Sequence, residues 1–157
     1  MKAEHVNAFL VPSVEVLQKM ARTEVTLGPV MRLQERCVDD HISIIIGLQG
    51  RLCGSVVFSA AAPVAWALAS RIAGSDLGGE DEEEVRTILA ELANTIVGNA
   101  TGHLYELGFR EGITPPTVVA GNQVSFDFGG GTESVQIPLD TDLGRLDMIV
   151  SLAREAP

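Results

Sequence analysis

Apolar residues recur at helical spacing in two long stretches of the chain. In the first, from about residue 3 to residue 21, apolar side chains return every three to four positions, which predicts an amphipathic helix. They are Val6, Phe9, Leu10, Val14, Leu17 and Ala21. Pro12 lies inside this stretch and predicts a kink or a restart of the helix. A second stretch, from about Glu80 to Leu107, has the same periodicity and predicts a longer helix, with Leu107 on its core face.

Between and after these helices, short runs of β-branched and other apolar residues are separated by turn signals, which predicts strands. The predicted strands are Met31–Val38, His41–Leu48, Leu52–Phe58, Thr117–Ala120, Val124–Phe128, Ser134–Leu139 and Arg145–Leu152. Gly121-Asn122 indicates a hairpin that would pair the fourth run with the fifth. A short alanine-rich helix is predicted over Pro63–Ala73. We therefore expect an α+β fold in which long helices pack on a mostly antiparallel sheet.

The two halves of the chain repeat each other in outline. Glu4–Asn7 recurs 87 positions later as Glu91–Asn94, and Gly50–Leu52 recurs 94 positions later as Gly144–Leu146. Two matches in the same order favour an internal duplication of a unit made of one helix and three strands. The predicted units are residues 3–75 and 80–155 of a single domain that spans residues 1–157.

Composition restricts the possible partners. Hydrophobic residues make up 46% of the 157 residues and charged residues 20%, which is typical of a globular domain and not of a disordered chain. The 11 Lys and Arg residues stand against 21 Asp and Glu residues, so the formal net charge is −10. A nucleic-acid-binding protein needs a basic surface, and this charge argues against that class. A protein or a small molecule remains as the partner.

Cysteine content and the N-terminal segment indicate the compartment. Cys37 and Cys53 are too few for a disulfide scaffold, and we expect both to be reduced, buried thiols. The N-terminal segment is a poor signal peptide, because Pro12 and Glu15 interrupt its apolar stretch. The longest apolar run is shorter than the roughly 20 residues that cross a bilayer. We therefore predict a cytoplasmic protein without membrane insertion.

Four positions of the long helix form a narrow stripe roughly opposite its apolar face. At about 100° per residue, they share one side of the helix. They are Thr87, Glu91, Asn94 and Gly98. Thr, Asn and Gly are poor helix formers, and glycine costs about 1 kcal/mol relative to alanine. The close approach of another protein would explain why poor helix formers stand at these positions. Gly98 has no Cβ to hold a partner away, while Glu91 and Asn94 project together toward it.

Glu91 and Asn94 offer limited but definite chemistry. A carboxylate can pair with a lysine or arginine of a partner. A carboxamide both donates and accepts hydrogen bonds, so it can orient a water molecule for attack. Phosphoryl transfer needs little beyond positioning and charge stabilisation, so it fits this pair. The plain alternative is an exposed glutamate and asparagine without a role, and the chain's histidines lack the spacing of a metal site.

At these residues the sequence resembles a known family. A motif spans Glu91–Asn99, with glutamate, asparagine, glycine and asparagine at its first, fourth, eighth and ninth positions. Pro115 and Pro116 follow downstream, and the whole chain has the duplicated layout of a helix followed by three strands. These features resemble the CheC/CheX/FliY phosphatases of bacterial chemotaxis, and Asn7–Leu10 is most similar to the CheX branch.

The resemblance implies a function and a partner. In that family the glutamate pairs with a lysine of the phosphorylated response regulator CheY, and the asparagine aligns the hydrolytic water beside the aspartyl phosphate. By resemblance Glu91 and Asn94 would take these roles, and Thr87 and Gly98 would lie at the contact with the regulator. Mg²⁺ would belong to the regulator and not to this chain. The resemblance also implies a CheC-like fold and a homodimer joined at sheet edges.

Some positions depart from the family pattern or leave its extent open. The family often has an acid or a serine where this chain has Thr87. Glu4 and Asn7 repeat the motif in the first half, as either a second active site or a vestige of the duplication. Pro12 stands there in place of an equivalent of Gly98. A non-catalytic adaptor that binds a response regulator or a flagellar motor component is the alternative function.

Overall fold

The computed structural model describes residues 1–33, 37–39, 42–121 and 124–153. Its α-helices are α1 (Ala3–Met20), α2 (Ala62–Ala73) and α3 (Glu82–Glu106), and a 3₁₀ turn over Gly79–Asp81 leads into α3. Its strands are β1 (Val25–Leu27), β2 (Met31–Leu33), β3 (Cys37–Asp39), β4 (Ile42–Gln49), β5 (Gly54–Ala60), β6 (Gly112–Ile113), β7 (Thr117–Ala120), β8 (Val124–Phe126), β9 (Thr132–Thr141) and β10 (Gly144–Ala153).

The helices begin and end where their residues dictate. Pro63 lies in the first turn of α2, where its missing N–H costs nothing. Gly74 ends α2 in a left-handed conformation with φ 72°, which a residue without a Cβ adopts freely. Pro12 is buried inside α1, which continues through it, so the predicted restart does not occur. The Ser13 hydroxyl in the same turn donates to the Phe9 carbonyl at 2.7 Å.

An antiparallel sheet forms the centre of the molecule. Its described strands run in the order β1-β9-β10-β5-β4-β6, with β2 also paired to β9 and β7 also paired to β4. β3 and β8 form a separate two-stranded sheet. The predicted α+β fold with helices on a mostly antiparallel sheet is confirmed.

The two halves of the chain exchange their edge strands. β1 and β2, which follow α1, pair with β9 of the second half, whereas β6 and β7, which follow α3, pair with β4 of the first half. The hairpins β4–β5 and β9–β10 meet at the centre of the sheet, where Val56 lies opposite Val150. Such an exchange supports the predicted duplication, which stays a prediction.

One face of the sheet packs against the helices and forms the main core. Alternate residues of β4 face this core, and Ile44, Ile46 and Leu48 are buried there. The opposite face has a small apolar cluster around Val57 and Ile149. That face also buries serine pairs, in which the Ser43 and Ser59 hydroxyls lie 2.7 Å apart. The helices therefore cover the apolar face, and α3 presents its outer side to solvent.

Several strand predictions are wrong in their pairing or extent. Thr117–Ala120 does not form a hairpin with the next strand, because it pairs with β4 while Val124–Phe126 pairs with β3. The single strand predicted over Met31–Val38 is instead β2 and β3, which lie in different sheets, and residues 34–36 lie outside the described residues. The very short strands β1 and β6 were not predicted.

Two predictions about burial also differ from the structure. Cys53 is exposed and not buried, because it lies in the turn between β4 and β5. The side chain of Cys37 lies outside the described part of the chain. Leu107, predicted on the core face of the long helix, is exposed because α3 ends at Glu106.

Candidate functional site

The long helix α3 holds the predicted stripe in place by burying the opposite side. Its buried residues return every three to four positions, as a helix packed on one side requires. They are Val85, Leu89, Leu92, Ala93, Ile96, Val97, Ala100 and Leu104. α3 packs against α1, α2 and the sheet, so the backbone below the stripe is fixed from several directions.

The stripe residues lie together on the outer side of this helix. Thr87 and Glu91 are exposed, and Asn94 and Gly98 are half-buried. Residues three or four positions apart on a helix have Cβ atoms about 5–6 Å from each other, so Glu91 and Asn94 are direct neighbours. A single partner surface can therefore meet the carboxylate and the carboxamide at once.

The helix itself satisfies the threonine hydroxyls near the stripe. Thr87 donates to the Glu83 carbonyl at 2.9 Å, and Thr95 donates to the Glu91 carbonyl at 2.8 Å. Within the described part of the chain, neither the Glu91 carboxylate nor the Asn94 carboxamide has a hydrogen-bond or ion-pair partner. The polar groups left for a partner are thus those of Glu91 and Asn94.

Gly98 is not needed for packing against the described residues. A Cβ placed there would meet none of them within 4 Å beyond the neighbouring helix backbone, and the same is true of Gly102 one turn later. A helix interior is destabilised by about 1 kcal/mol for each glycine that replaces alanine. The two glycines therefore weaken α3 without any benefit to its own contacts, and they leave a flat surface beside Asn94.

The first turn of α3 is strongly acidic. Glu82, Glu83 and Glu84 are exposed there, and the Glu82 carboxylate pairs with Arg86 at 3.1 Å. Carboxylates stabilise a helix N-terminus, so this cluster has a structural reason to exist. It also places negative charge on the approach to Glu91, which favours a basic partner surface.

One carboxyl with a shifted pKa lies away from the stripe. A hydrogen bond from the Thr23 hydroxyl and a further one from the Arg71 guanidinium hold the pKa of Asp142 below its usual value. The Arg71 Nη1 donates to both oxygens of this carboxylate, at 3.0 and 2.8 Å. The group therefore ties the end of α2 to the turn between β9 and β10, and it is structural.

Among the described residues, no group of three or more His, Cys, Asp or Glu side chains could hold a metal ion. None of the helices in the described ranges combines the length and the apolar character needed to cross a membrane.

The first-half motif lies on a different helix with different surroundings. Glu4 and Asn7 are exposed near the start of α1, so the structure does not bring them into the stripe of α3. Four residues after Asn7 comes Val11, whose side chain is 43% exposed. Val11, and not Pro12, therefore holds the position that corresponds to Gly98, and Pro12 is buried.

The stripe predicted from the sequence ends at Gly98, but in the structure the same side of α3 extends to an exposed tyrosine. Tyr105 is 60% exposed and follows Gly98 and Gly102 at helical spacing. The guanidinium of Arg110 lies 5.6 Å from the centre of the Tyr105 ring. The helical period counted onward from Glu91 would have found the tyrosine, whereas the contact with Arg110 depends on the loop that follows α3.

A family model gives a direct comparison with known proteins. The model described as chemotaxis phosphatase CheX matches residues 42–140, which is more than half of the chain. The match contains the whole of α3, the strands β4 and β5, and β9 except its last residue, and it ends before β10.

Individual proteins agree with the family model. The CheY-P phosphatase CheX of Thermotoga maritima is 27% identical over 124 residues, which are 79% of this chain and 80% of that protein. A CheC-like superfamily protein from Shewanella has a TM-score of 0.87 at 22% identity, over 98% of this chain and all of that chain. A chain of the CheX-CheY-BeF3-Mg²⁺ complex from Borrelia burgdorferi has a TM-score of 0.79 at 24% identity, over 96% and 98% of the two chains. The predicted CheC-like fold is thus confirmed.

Proposed function

The chain belongs to the family of the chemotaxis phosphatase CheX, and on this premise we propose that it dephosphorylates a CheY-like response regulator. The proposal is that α3 docks on the regulator beside its phosphorylated aspartate. Water then attacks the phosphorus and the bond to the aspartate oxygen breaks. Inorganic phosphate leaves, and the aspartate of the regulator is again a free carboxylate. The related protein of Thermotoga maritima bears the name CheY-P phosphatase, which supports this assignment.

Glu91 is the docking residue in this mechanism. Its carboxylate is exposed and has no partner in the described part of the chain, so a lysine of the regulator can pair with it at little cost. The acidic first turn of α3 adds attraction for the same basic surface. Thr87 and Gly98 contact the regulator on either side, and Thr87 can accept a hydrogen bond while it donates to the helix.

Asn94 is the catalytic residue. Its carboxamide can accept a hydrogen bond from water through the oxygen and donate one to a phosphoryl oxygen through the nitrogen. Both contacts hold the water in line with the bond that breaks, which is the kind of positioning that accelerates phosphoryl transfer. The half-buried position of Asn94 between fixed helix turns limits the orientations of the carboxamide, so less entropy is lost when the water is aligned.

The regulator supplies the metal ion in this proposal. Mg²⁺ on the phosphorylated protein neutralises charge on the phosphoryl group, and this chain provides position and hydrogen bonds only. The complex from Borrelia burgdorferi contains CheX, CheY, BeF3 and Mg²⁺ together, which supports this division. The proposal also places the protein in the cytoplasm, where we expect the regulator to act.

The observation that carries the proposal is the Glu91 and Asn94 pair, which has no partner among the described residues and lies beside a glycine that the packing of those residues does not require. The test follows loss of aspartyl phosphate from the CheY of the same organism, with wild-type protein and with Asn94→Ala. We expect wild type to accelerate the loss and Asn94→Ala to remove most of the acceleration. Equal acceleration by both proteins would disprove the role of Asn94.

The adaptor hypothesis predicts a different result in the same experiment. An adaptor would bind CheY that has been activated with beryllium fluoride and Mg²⁺, but it would not change the lifetime of the phosphate. Binding measured beside decay therefore separates the two functions. Binding without acceleration by the wild-type protein would favour the adaptor.

We further propose a homodimer formed at the edge of the sheet that carries β1 and β2. These strands pair with β9 on one side, and Leu27, Val30 and Met31 are exposed beside the other. An edge with exposed apolar side chains invites pairing with a second copy, and charges on such an edge oppose it. Light scattering should give a dimer for wild type and a monomer for the double variant Leu27→Lys, Met31→Lys. Val11→Lys on α1 is the matched control, and a dimer that survives the double substitution would contradict this interface.

A further inference from the structure

Tyr105 continues the face of α3 that carries Glu91 and Asn94. Along the helix it lies about 21 Å from Glu91, and around the axis it is turned by only about 40°. A standard protein interface covers about 800 Å² on each partner, roughly 30 Å across. A regulator docked over Glu91 and Asn94 can therefore reach Tyr105 without leaving one ordinary interface.

The surface between Asn94 and Tyr105 offers no obstacle. Gly98 and Gly102 lack side chains, and among the described residues nothing beyond the helix's own neighbouring backbone lies within 4 Å of where their Cβ atoms would be. Side chains on a helix lean toward its N-terminus, so the Tyr105 ring covers the turn around Gly102. The ring borders a shallow cleft whose walls include Thr101, Gly102 and Phe109, together with Arg110 and Glu111.

Arg110 adds a positive charge that no carboxylate of the described residues pairs with. Its guanidinium lies over the Tyr105 ring, 5.6 Å from the ring centre. Within the described residues it has no carboxylate within 4 Å, although Glu106 and Glu111 are near in sequence and the net charge is −10. A ring that holds an unpaired cation in place is a good receptor for a carboxylate, because little side-chain entropy remains to be lost.

We propose that Tyr105 and Arg110 form a second docking patch, which binds an acidic side chain on the surface of the same regulator. The inference rests on the proposed function, because it needs a regulator docked along α3. Glu91 then takes a basic group near the middle of α3, and Arg110 takes an acidic group just beyond its C-terminal end. Opposite charges at these two points fix the direction in which the regulator lies along α3, so the patch determines which regulators fit.

The test measures affinity and turnover separately. The dissociation constant is determined with the CheY of the same organism, activated with beryllium fluoride and Mg²⁺, and turnover is measured at saturating phosphorylated CheY. Aromatic and arginine anchors dominate interfaces, so Tyr105→Ala and Arg110→Ala should each weaken binding about tenfold. Turnover at saturation should stay within about twofold of wild type, because neither residue touches the reacting atoms.

Matched variants keep the result interpretable. Leu107→Ala removes an exposed apolar side chain close by in sequence, but about 160° around the helix from Glu91, so it should leave affinity unchanged. Tyr105→Phe keeps the ring under Arg110 and should bind within about threefold of wild type. Arg110→Glu should weaken binding more than Arg110→Ala, and the difference should shrink as salt rises.

Each outcome supports or overturns the inference. Unchanged affinity for Tyr105→Ala and Arg110→Ala would overturn it, and so would lost turnover at unchanged affinity. If the wild-type protein binds activated CheY and Asn94→Ala abolishes turnover, either of these overturning results would disprove the second docking patch and leave the proposed function intact. If the wild-type protein neither binds nor dephosphorylates CheY, the proposed function fails and the patch fails with it.

Discussion

The helices α1 and α3 carry the same spacing of glutamate and asparagine in different surroundings. On α3, Glu91 is the tenth residue of the helix, with two turns before it and four after it. On α1, Glu4 is the second residue, so a partner centred there would meet the end of a helix. A motif in the middle of a long exposed face can orient a docked protein, whereas the same motif at a helix end offers fewer contacts around it.

The residue four positions after the asparagine separates the two helices further. On α3 it is Gly98, with open space where a Cβ would be, and on α1 it is Val11, which projects an exposed branched side chain. A valine there holds a partner's surface away from Asn7. The spacing of two polar residues therefore does not make a site by itself, because its neighbours within one turn decide whether a partner can reach it.

Replacing Asn94 on α3 and Asn7 on α1, one at a time, should give the largest difference in turnover between the two helices. Asn94→Ala should lower turnover of phosphorylated CheY about 100-fold, because the attacking water loses its alignment. Asn7→Ala should leave turnover within about twofold of wild type, since we expect no docking on α1. Phosphate release measured for both variants checks the contrast, and equal losses would show two working faces.

Charge reversal at the two glutamates should give the next largest difference. Glu91→Lys should weaken binding of activated CheY by about 30-fold or more, because a lysine then faces the regulator's lysine. Glu4→Lys makes the same change in net charge on α1 and should leave affinity nearly unchanged. Titration of labelled CheY measures both, and comparable losses would mean that overall charge and not docking at Glu91 explains the effect.

Exchanging the residues at positions 98 and 11 tests the flat surface directly. Gly98→Val should weaken binding about tenfold, because the added side chain overpacks the interface. The same variant should unfold at a temperature no lower than wild type, since valine is a better helix former than glycine and its Cβ would meet nothing within 4 Å among the described residues. Val11→Gly should keep affinity and lower the unfolding temperature. Unchanged affinity in Gly98→Val would remove the reason given for the glycine.

The smallest effect is expected from a change on neither helix face. Asp142→Asn should lower the unfolding temperature at neutral pH and leave turnover unchanged, because it loses the contacts with Arg71 and Thr23. These contacts depress the pKa of Asp142 in the folded state below 3.8, so their stabilisation is present above that pH. It disappears as pH falls through the lower folded pKa. Thermal unfolding from pH 7 to pH 2 should therefore bring wild type and variant together at the acidic end.

Sequence periodicity predicted the elements with long patterns and not their partners. The pattern of the predicted helix to Leu107 gave α3 to within a few residues, since its buried residues recur over about five turns, from Val85 to Leu104. A strand pattern says nothing about which distant strand it meets. Gly121 therefore suggested a hairpin, whereas β7 actually pairs with β4. Strands of two or three residues, such as β1 and β6, are too short to have a period at all.

The candidate site shows the same division. Glu91, Asn94 and Gly98 lie on one helix, so helical geometry alone brings them together. The cleft beside Tyr105 was beyond prediction, because Arg110 reaches the ring only after the chain turns at the end of α3. Residues joined by one regular element can be grouped from the sequence, and residues joined by a loop cannot.

In the proposed mechanism each chain has one docking face, which lies on α3. Calorimetric titration with CheY activated by beryllium fluoride and Mg²⁺ measures the number of regulators bound per chain, with wild-type protein and with Glu91→Lys. We expect one regulator per chain for wild type, and no detectable binding at the same concentrations for the variant. Two regulators per wild-type chain, or one that persists in Glu91→Lys, would contradict it.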